Sequence, residues 1–354
     1  MEKRYTMIVP RADRTGPTNV AVDIGRAATD AGWQVGLLYL SGIPSRNDLG
    51  SFIEVRRWRL RDLWSLDGVV HTHGLRPDLV GWLISWTHRC RIVTTLHGHF
   101  PQHLSFDYAP WKVRLAWGLW SRALRRFDLR VCISKTMLRH YERSVPRQRF
   151  TLAYNFRSPL VEAGGGLSVE TLQWFERQRA ANRVVLVYVG SLTDRKNIST
   201  LVHEVSHCPE LALVVCGQGP LSSALAFIVK DAATDAILLA GQLASPEKAV
   251  ALSDVLVLPS HAEGLPLVVL EAARAGVPSL LSNITIHREL AAAGLGTTFD
   301  RHSFRDFRAK AIALARGRSG EADENLMAVW RERFSPEEGF SRYEQLLLSL
   351  DSNA

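Results

Sequence analysis

Short apolar runs and longer amphipathic segments alternate along this chain, with polar loops between them. Residues 251–289 show the pattern most clearly. Residues 254–258, DVLVL, carry apolar side chains on both faces of a strand and read as a buried parallel strand. Residues 259–264 set Pro, Ser, His, Glu and Gly in quick succession, which breaks both periods and marks a loop. Pro266 suits the first turn of a helix, where its missing N–H costs nothing. Leu267, Leu270 and Ala273 then keep helical spacing, and Gly276, Val277 and Pro278 stop the helix before a new apolar run at 279–282.

The rest of the chain repeats this strand, loop, helix, strand grammar. Residues 5–10 read as a strand, 11–17 as a polar loop, and a helix capped by Thr18 or Asn19 runs to about residue 31. Gly32 ends it, and 33–40 is the second strand. Further strands are expected at 68–71, 91–96, 129–133 and 150–154, with helices to about residue 88 and over 111–130. The glycines at 164–166 mark a hinge, and 168–181 reads as a linking helix. A second series begins at 184–189 and continues through 211–216 and 236–240, and a terminal helix starts near Phe334. Alternation of this kind predicts an α/β protein with parallel sheets.

Composition refines the picture. A chain of 354 residues exceeds one ordinary domain, so two are expected, and 46% apolar residues supply two cores. No apolar run approaches the roughly 18 residues needed to span a bilayer. The apolar stretch near the start is too short for a secretory signal. Cys90, Cys132, Cys208 and Cys216 follow no ligand spacing and read as thiols in a reducing cytoplasm. The charge is uneven: residues 1–150 hold 24 Lys and Arg against 12 Asp and Glu, and the remainder holds 19 against 23. A basic first half suggests an anionic partner, such as acidic lipid or a lipid-linked diphosphate. No nucleic-acid-binding motif accompanies it.

Several side chains could carry chemistry, each with a plainer reading beside it. The start of the helix after Pro266 offers free N–H groups and a positive dipole end, which suit a phosphate. Glu263 before it and Glu271 within it could take sugar and ribose hydroxyls, or could be ordinary helix charges. Arg195 and Lys196 lie at a strand-to-helix turn, where Arg grips a diphosphate by its planar fork and Lys as a point charge; they could equally be solvated. His71, His73, His97, His99 and His103 follow strands, where α/β sheets bind ligands. They could hold a metal, although their spacing fits no specific ligand pattern, or be loop histidines. In the helix 111–130, Trp111, Leu115, Leu119 and Trp120 share one broad face and Arg122, Arg125 and Arg126 crowd the later turns. Residues 55–64 repeat the Trp and Arg mixture. This is the chemistry of a membrane interface, or else of a packed helix with a solvated basic side.

The stretch EGLPLVVLEAARAGVP, through Glu263 and Glu271, resembles the E-x7-E signature of family 4 glycosyltransferases, retaining enzymes of GT-B fold. GSLTDRKN at 190–197 is similar to that family's G-R-L-x-x-x-K-G pattern in Gly190 and Lys196; Ser191 stands where Arg is frequent and Asn197 where Gly is. Ser134 and Lys135 resemble the element that closes the family's first domain, and Gly217 to Pro220 resembles its G-x-G-P turn.

The resemblance implies two facing Rossmann-like, doubly wound domains with a deep cleft between them. The acceptor-side domain spans 1–158, with the helix 338–352 packing back onto it, and the donor domain spans 159–337. It assigns His97, Lys196 and Glu263 to catalysis. Donor binding falls to Gly16, Gly190, Arg195, Lys196, Gly217, Gly264, Leu265 and Glu271, with base contacts near Gly217 and Gly241. His97 reaches the donor sugar, Glu263 orients it, and Glu271 holds the ribose. No metal or cofactor is expected. The implied partners are a nucleotide-diphospho-sugar and a glycan or lipid-linked acceptor, with a possible peripheral contact to anionic membrane and no nucleic acid. The implied setting is envelope polysaccharide or lipopolysaccharide assembly in the cytoplasm, on the inner face of the plasma membrane. Alternatives are a nucleotide-sugar 2-epimerase on the same fold and a binding subunit without activity.

Overall fold

A computed structural model describes residues 4–13, 15–44, 49–157, 166–317 and 322–351. They divide into two compact units, Met1–Pro159 with Arg333–Ala354, and Leu160–Glu332. The expected boundary after residue 158, the hinge glycines 164 and 165, and residue 352 of the terminal helix lie outside the described residues.

Unit 1 begins with β1 (Arg4–Arg11), α1 (Gly16–Asp30), β2 (Gln34–Ser41), β3 (Glu54–Arg57), α2 (Asp62–Ser65) and β4 (Gly68–His73). It continues through α3 (Leu75–Ile84), β5 (Cys90–Leu96), α4 (Pro110–Leu124), β6 (Leu129–Cys132), α5 (Lys135–Ser144) and β7 (Thr151–Leu152). The strands form one parallel sheet in the order β3-β2-β1-β4-β5-β6-β7. Unit 2 holds α6 (Val169–Ala180), β8 (Val184–Val189), α7 (Ile198–Ser206), β9 (Leu211–Cys216), α8 (Ser222–Asp231), β10 (Ile237–Gly241) and α9 (Pro246–Ala251). Next come β11 (Val255–Leu258), α10 (Leu267–Arg274), β12 (Ser279–Ser282), α11 (Thr285–Ala292), β13 (Thr297–Phe299) and α12 (Phe304–Arg316). Its sheet is also parallel, in the order β10-β9-β8-β11-β12-β13. The chain then passes through α13 (Glu324–Phe334) into α14 (Pro336–Asp351).

Both sheets are therefore doubly wound. Each builds outward from its first strand in one direction, then returns to build in the other. The reversal lies between β1 and β4 in unit 1 and between β8 and β11 in unit 2. Loops leaving the carboxyl ends of the strands on either side of such a reversal splay apart, and ligands of α/β sheets bind there. The central strands β9, β11 and β12 are buried at every position, which is why they read as unbroken apolar runs.

Several local details differ from the sequence reading; the helix expected over 111–130, for one, ends at Leu124, before β6 begins at Leu129. Helix α1 starts at Gly16 with Thr15 at its cap position, not at Thr18 or Asn19. Pro17 already has the φ of a first helical turn and draws the start forward. Thr18 is then buried, and its hydroxyl bonds to Thr15 Oγ1 and the Arg11 carbonyl, both at 2.9 Å, closing the turn from β1. Pro266 likewise sits just before α10, as its cap residue with ψ 112°, rather than inside the first turn. The Trp and Arg segment 55–64 includes an edge strand, β3, whose four residues are too short and too exposed to announce themselves.

Helix α14 packs on α1 within unit 1. Tyr343 and Leu347 are buried there, and Tyr343 Oη lies 3.3 Å from Thr95 Oγ1 on β5. Gly339 permits this contact: a Cβ built at that position would come within 2.2 Å of the Phe156 ring. Gly339→Ala should therefore destabilise unit 1 by about 1–3 kcal/mol, the usual cost of overpacking a filled core. A lowered urea midpoint checks this; an unchanged midpoint would show that α14 does not depend on the close approach.

Candidate active site

The site grows from the reversal point of unit 2. Strand β8 ends at Val189, and the loop behind it closes through a short turn, Asp194–Lys196, before α7 begins. Asn197 joins the turn to the helix with φ 53° and ψ 31°, a left-handed conformation. Asparagine tolerates that geometry better than residues other than glycine, so the departure from a Gly-containing pattern keeps the backbone path. Strand β11 ends at Leu258, and its loop carries Ser260 to Pro266 to the start of α10.

The two loops meet on Glu263, which is buried. Lys196 Nζ donates to its Oε1 at 2.5 Å, Ser260 Oγ donates to the same oxygen at 2.6 Å, and Arg195 Nη1 lies 3.3 Å from Oε2. Arg195 also donates to the Ala262 carbonyl at 2.6 Å, and its own carbonyl accepts from His261 N–H at 2.8 Å. A further layer holds Ser260: Ser282 Oγ, at the end of β12, donates to the Ser260 carbonyl at 2.6 Å, and His287 Nδ1 lies 2.9 Å from the Ser282 carbonyl. Burial by itself would raise the Glu263 carboxyl. The charges of Lys196 and Arg195, with the hydrogen bonds from Lys196 and Ser260, overcome that and hold it at about 2. Burial lowers His287 to about 4, although Glu263 favours its charged form. Two cations face one carboxylate here, which leaves one positive charge in excess.

Glycines bring the neighbouring loops together. A Cβ at Gly217, after β9, would lie 1.8 Å from the Gly190 carbonyl oxygen, and one at Gly219 would lie 2.4 Å from the Leu192 oxygen. The backbone then interlocks: Gly190 N donates to the Cys216 oxygen at 3.0 Å, Leu192 N to the Gln218 oxygen at 3.1 Å, and Gly217 N to the Gly241 oxygen at 2.7 Å. Gly264 and Leu265 are buried between Glu263 and α10, and Glu271 lies half-buried on α10 itself.

Unit 2 thus holds Gly190, Arg195, Lys196, Gly217, Glu263, Gly264, Leu265 and Glu271, and it brings Arg195, Lys196 and Glu263 into direct contact. Gly16 and His97 belong to unit 1. Gly16 opens α1, and a Cβ there would meet nothing within 4 Å. His97 follows β5, half-buried, with its Nε2 3.0 Å from His73 Nδ1. Among the described residues no group of three or more His, Cys, Asp or Glu side chains is placed to hold a metal ion. Sequence reasoning passed over Ser260, Ser282, His287 and the contact of His73 with His97. Only the S-x-x-E spacing of Ser260 and Glu263 could have pointed to the first of these.

The Glu263 environment sets a pH dependence. A carboxyl held below its usual value of about 4.3 adds stability above that pH and loses it as the pH falls toward the folded-state value. The protein should lose about 2 kcal/mol more than Glu263→Gln between about pH 4.5 and pH 2. Urea titrations at stepped pH check this, and parallel pH profiles for the two proteins would contradict the burial and pairing described.

Comparison with known proteins agrees with this architecture. The family Glycosyltransferase Family 4 matches residues 14–158, and the family Glycosyl transferases group 1 matches residues 171–329. O-antigen biosynthesis glycosyltransferase WclY of Escherichia coli is 25% identical over 286 residues, covering 80% of this chain and 79% of WclY. Among solved structures, Anabaena HepE in complex with UDP and glucose is 16% identical, with a TM-score of 0.79 over 98% of this chain and 100% of that one. The lipopolysaccharide outer core galactosyltransferase WaaB, in its apo form, is 15% identical, with a TM-score of 0.68 over 98% of this chain and 99% of its own. With a family 4 half joined to a group 1 half and two parallel doubly wound sheets, the chain belongs to the glycosyltransferases of GT-B fold.

Proposed function

We propose that this glycosyltransferase moves a sugar, with retention of anomeric configuration, from a nucleotide-diphospho-sugar to a hydroxyl of a glycan or lipid-linked acceptor in envelope polysaccharide assembly. The observation that carries the reading is the Arg195, Lys196 and Glu263 cluster at the reversal point of unit 2. Breaking the bond between the anomeric carbon and the phosphate oxygen develops negative charge on the leaving diphosphate. Fixed cations beside that oxygen stabilise the charge without having to reorganise. Lys196 has three N–H donors and Arg195 five, so both can hold Glu263 and still reach a phosphate. Glu263 keeps the two cations converged and orients the sugar, Glu271 takes the ribose hydroxyls, and backbone N–H groups at Gly264 and Leu265 lie beside the start of α10. Gly16, Gly190 and Gly217 let backbone approach the donor, and His97 donates to the sugar.

In retention by same-face attack, the acceptor oxygen bonds to the anomeric carbon as the phosphate departs. The leaving phosphate oxygen takes the acceptor proton. Neither a carboxylate base nor a divalent ion is needed, because Arg195 and Lys196 supply the positive charge. The names of the relatives support the setting: WclY acts in O-antigen biosynthesis, WaaB is a lipopolysaccharide galactosyltransferase, and HepE binds UDP-glucose.

A second surface supports a membrane-side location. Trp111 and Leu115 on α4 are 64% and 69% exposed, whereas Trp120 on the same helix is 1% exposed. Trp120 turns inward because its indole N–H donates to the buried Asp78 carboxylate at 2.6 Å. Trp64, on α2, and Trp86, after α3, are also exposed, and α3 packs against both α2 and α4. The Arg126 guanidinium sits 3.8 Å above the Trp86 ring, and Lys112, Arg114, Arg122 and Arg125 are exposed along α4. Aromatic side chains interleaved with cations match an anionic bilayer surface, where the rings sit at headgroup level and the charges meet lipid phosphates. Among the described residues no helix is long and apolar enough to cross a membrane, so the contact is peripheral in this reading.

Binding of UDP-, GDP- and ADP-sugars to the purified protein should single out one donor nucleotide. With that donor, Lys196→Ala should slow transfer by about 10²-fold or more, the scale of removing one charge-stabilising group. Glu271→Ala should mainly weaken donor binding. Unchanged kinetics in both variants would remove the site assignment, and loss of activity in excess chelator would remove the metal-free mechanism. Vesicles of anionic lipid should co-sediment the protein at low salt, and Trp111→Ser with Leu115→Ser should release it. Equal binding by the double variant would separate this face from the membrane.

A further inference from the structure

Unit 1 contains a column of neutral histidines that ends at His97. His71 and His73 alternate along β4, and both are wholly buried. His71 is clamped at both nitrogens: Tyr5 Oη lies 2.5 Å from Nδ1 and Thr95 Oγ1 lies 2.8 Å from Nε2. The rings of His71 and His73 are 4.3 Å apart, and those of His73 and His97 are 5.2 Å apart. Tyr343, on α14, closes the far end through Thr95. Burial keeps His71, His73 and His97 well below the ordinary histidine value, so all three rings are neutral at physiological pH.

Two neutral imidazoles facing each other share one proton. His73 Nδ1 and His97 Nε2 are 3.0 Å apart, so one of them donates. The other nitrogen of His73, Nε2, is buried and has no partner among the described residues. If His97 were the donor, the His73 proton would sit on that Nε2 as a buried N–H with nothing to accept it. A buried orphan N–H is the rarer and costlier of the two defects, compared with a bare acceptor. The proton therefore belongs on His73 Nδ1, and His97 Nε2 accepts it.

We propose that His73 is a positioning residue for glycosyl transfer, one that fixes His97 as a neutral ring protonated at Nδ1. His97 Nδ1 has no protein partner among the described residues, so its N–H is free to meet an oxygen atom of a ligand. His97 then acts as a hydrogen-bond donor and not as a base at that nitrogen. The ring torsion of a histidine is broad and two-fold, so packing alone would leave two orientations nearly equal. The bond to His73 selects one. The loop is braced as well: the Gly98 carbonyl accepts from Tyr141 Oη, and a Cβ at Gly98 would lie 2.2 Å from His103 Nδ1. This inference rests on the reading above in which His97 touches the donor sugar.

Long-range ¹⁵N–¹H correlation spectra of protein labelled at histidine nitrogens report the tautomer directly, with the His97 signals identified by their loss in His97→Gln. The wild type should show His97 protonated at Nδ1, and His73→Leu should show a mixture of tautomers. In kinetics, His73→Leu should lower kcat about tenfold or more, on the scale of a mispositioned group, with the donor KM changed much less. His73→Asn places an amide N–H where the imidazole Nδ1–H stood and should restore kcat to within about threefold, while His73→Gln should not. A wild-type His97 protonated at Nε2, or equal kcat for the Leu and Asn variants, would overturn the proposal. His97→Ala with undiminished transfer would instead strike the donor contact of His97, and the spectra would still judge what His73 does to the ring.

Discussion

A carboxylate can be buried only where cations and hydrogen bonds replace the water it gives up, and Glu263 is such a carboxylate. Isolated in an apolar interior, its charge would cost several kcal/mol. Lys196, Arg195 and Ser260 remove that cost, and in doing so they fasten the loop after β8 to the loop after β11. These are the two loops that flank the sheet reversal in unit 2. Two long side chains that would otherwise sample many rotamers are thereby converged in the folded chain, and their ordering entropy is spent during folding. The same contact that makes the burial tolerable also fixes where the two cations stand.

Much of the architecture was legible in the sequence because both sheets are covered on both faces. Strands such as β9 and β11 have no solvent side, so their residues form apolar runs with nothing to confuse them. Legibility faded where an element is short or exposed. Edge strand β3 has four residues, three of them charged, and only pairing with β2 makes it a strand. The face of α4 was also unreadable in one respect. Trp residues occur on both its inner and outer sides, and the deciding feature is Asp78, which lies 42 residues from Trp120 in sequence and accepts its indole N–H.

The site follows the same rule. Arg195, Lys196 and Glu263 stand out as residue types in the right kind of loop, and their neighbours in sequence carry the family resemblance. Their mutual contact spans 67 and 68 residues, which no local pattern encodes. His73 was visible only as one histidine among five near strand ends. Its significance comes from strand pairing, since parallel β4 and β5 bring it level with the residues just before His97. What a sequence hides, in this protein, is the set of partners that hold a recognisable group in place.

The meshing of Gly190, Gly217 and Gly219 carries one more consequence. With carbonyl oxygens standing where any side chain would begin, the loops that follow β8 and β9 cannot diversify independently. Grafting one of them alone from a relative would leave it clashing against a host loop shaped for a different mate. Evolution and protein engineers alike would have to transplant the two together, as a single cassette.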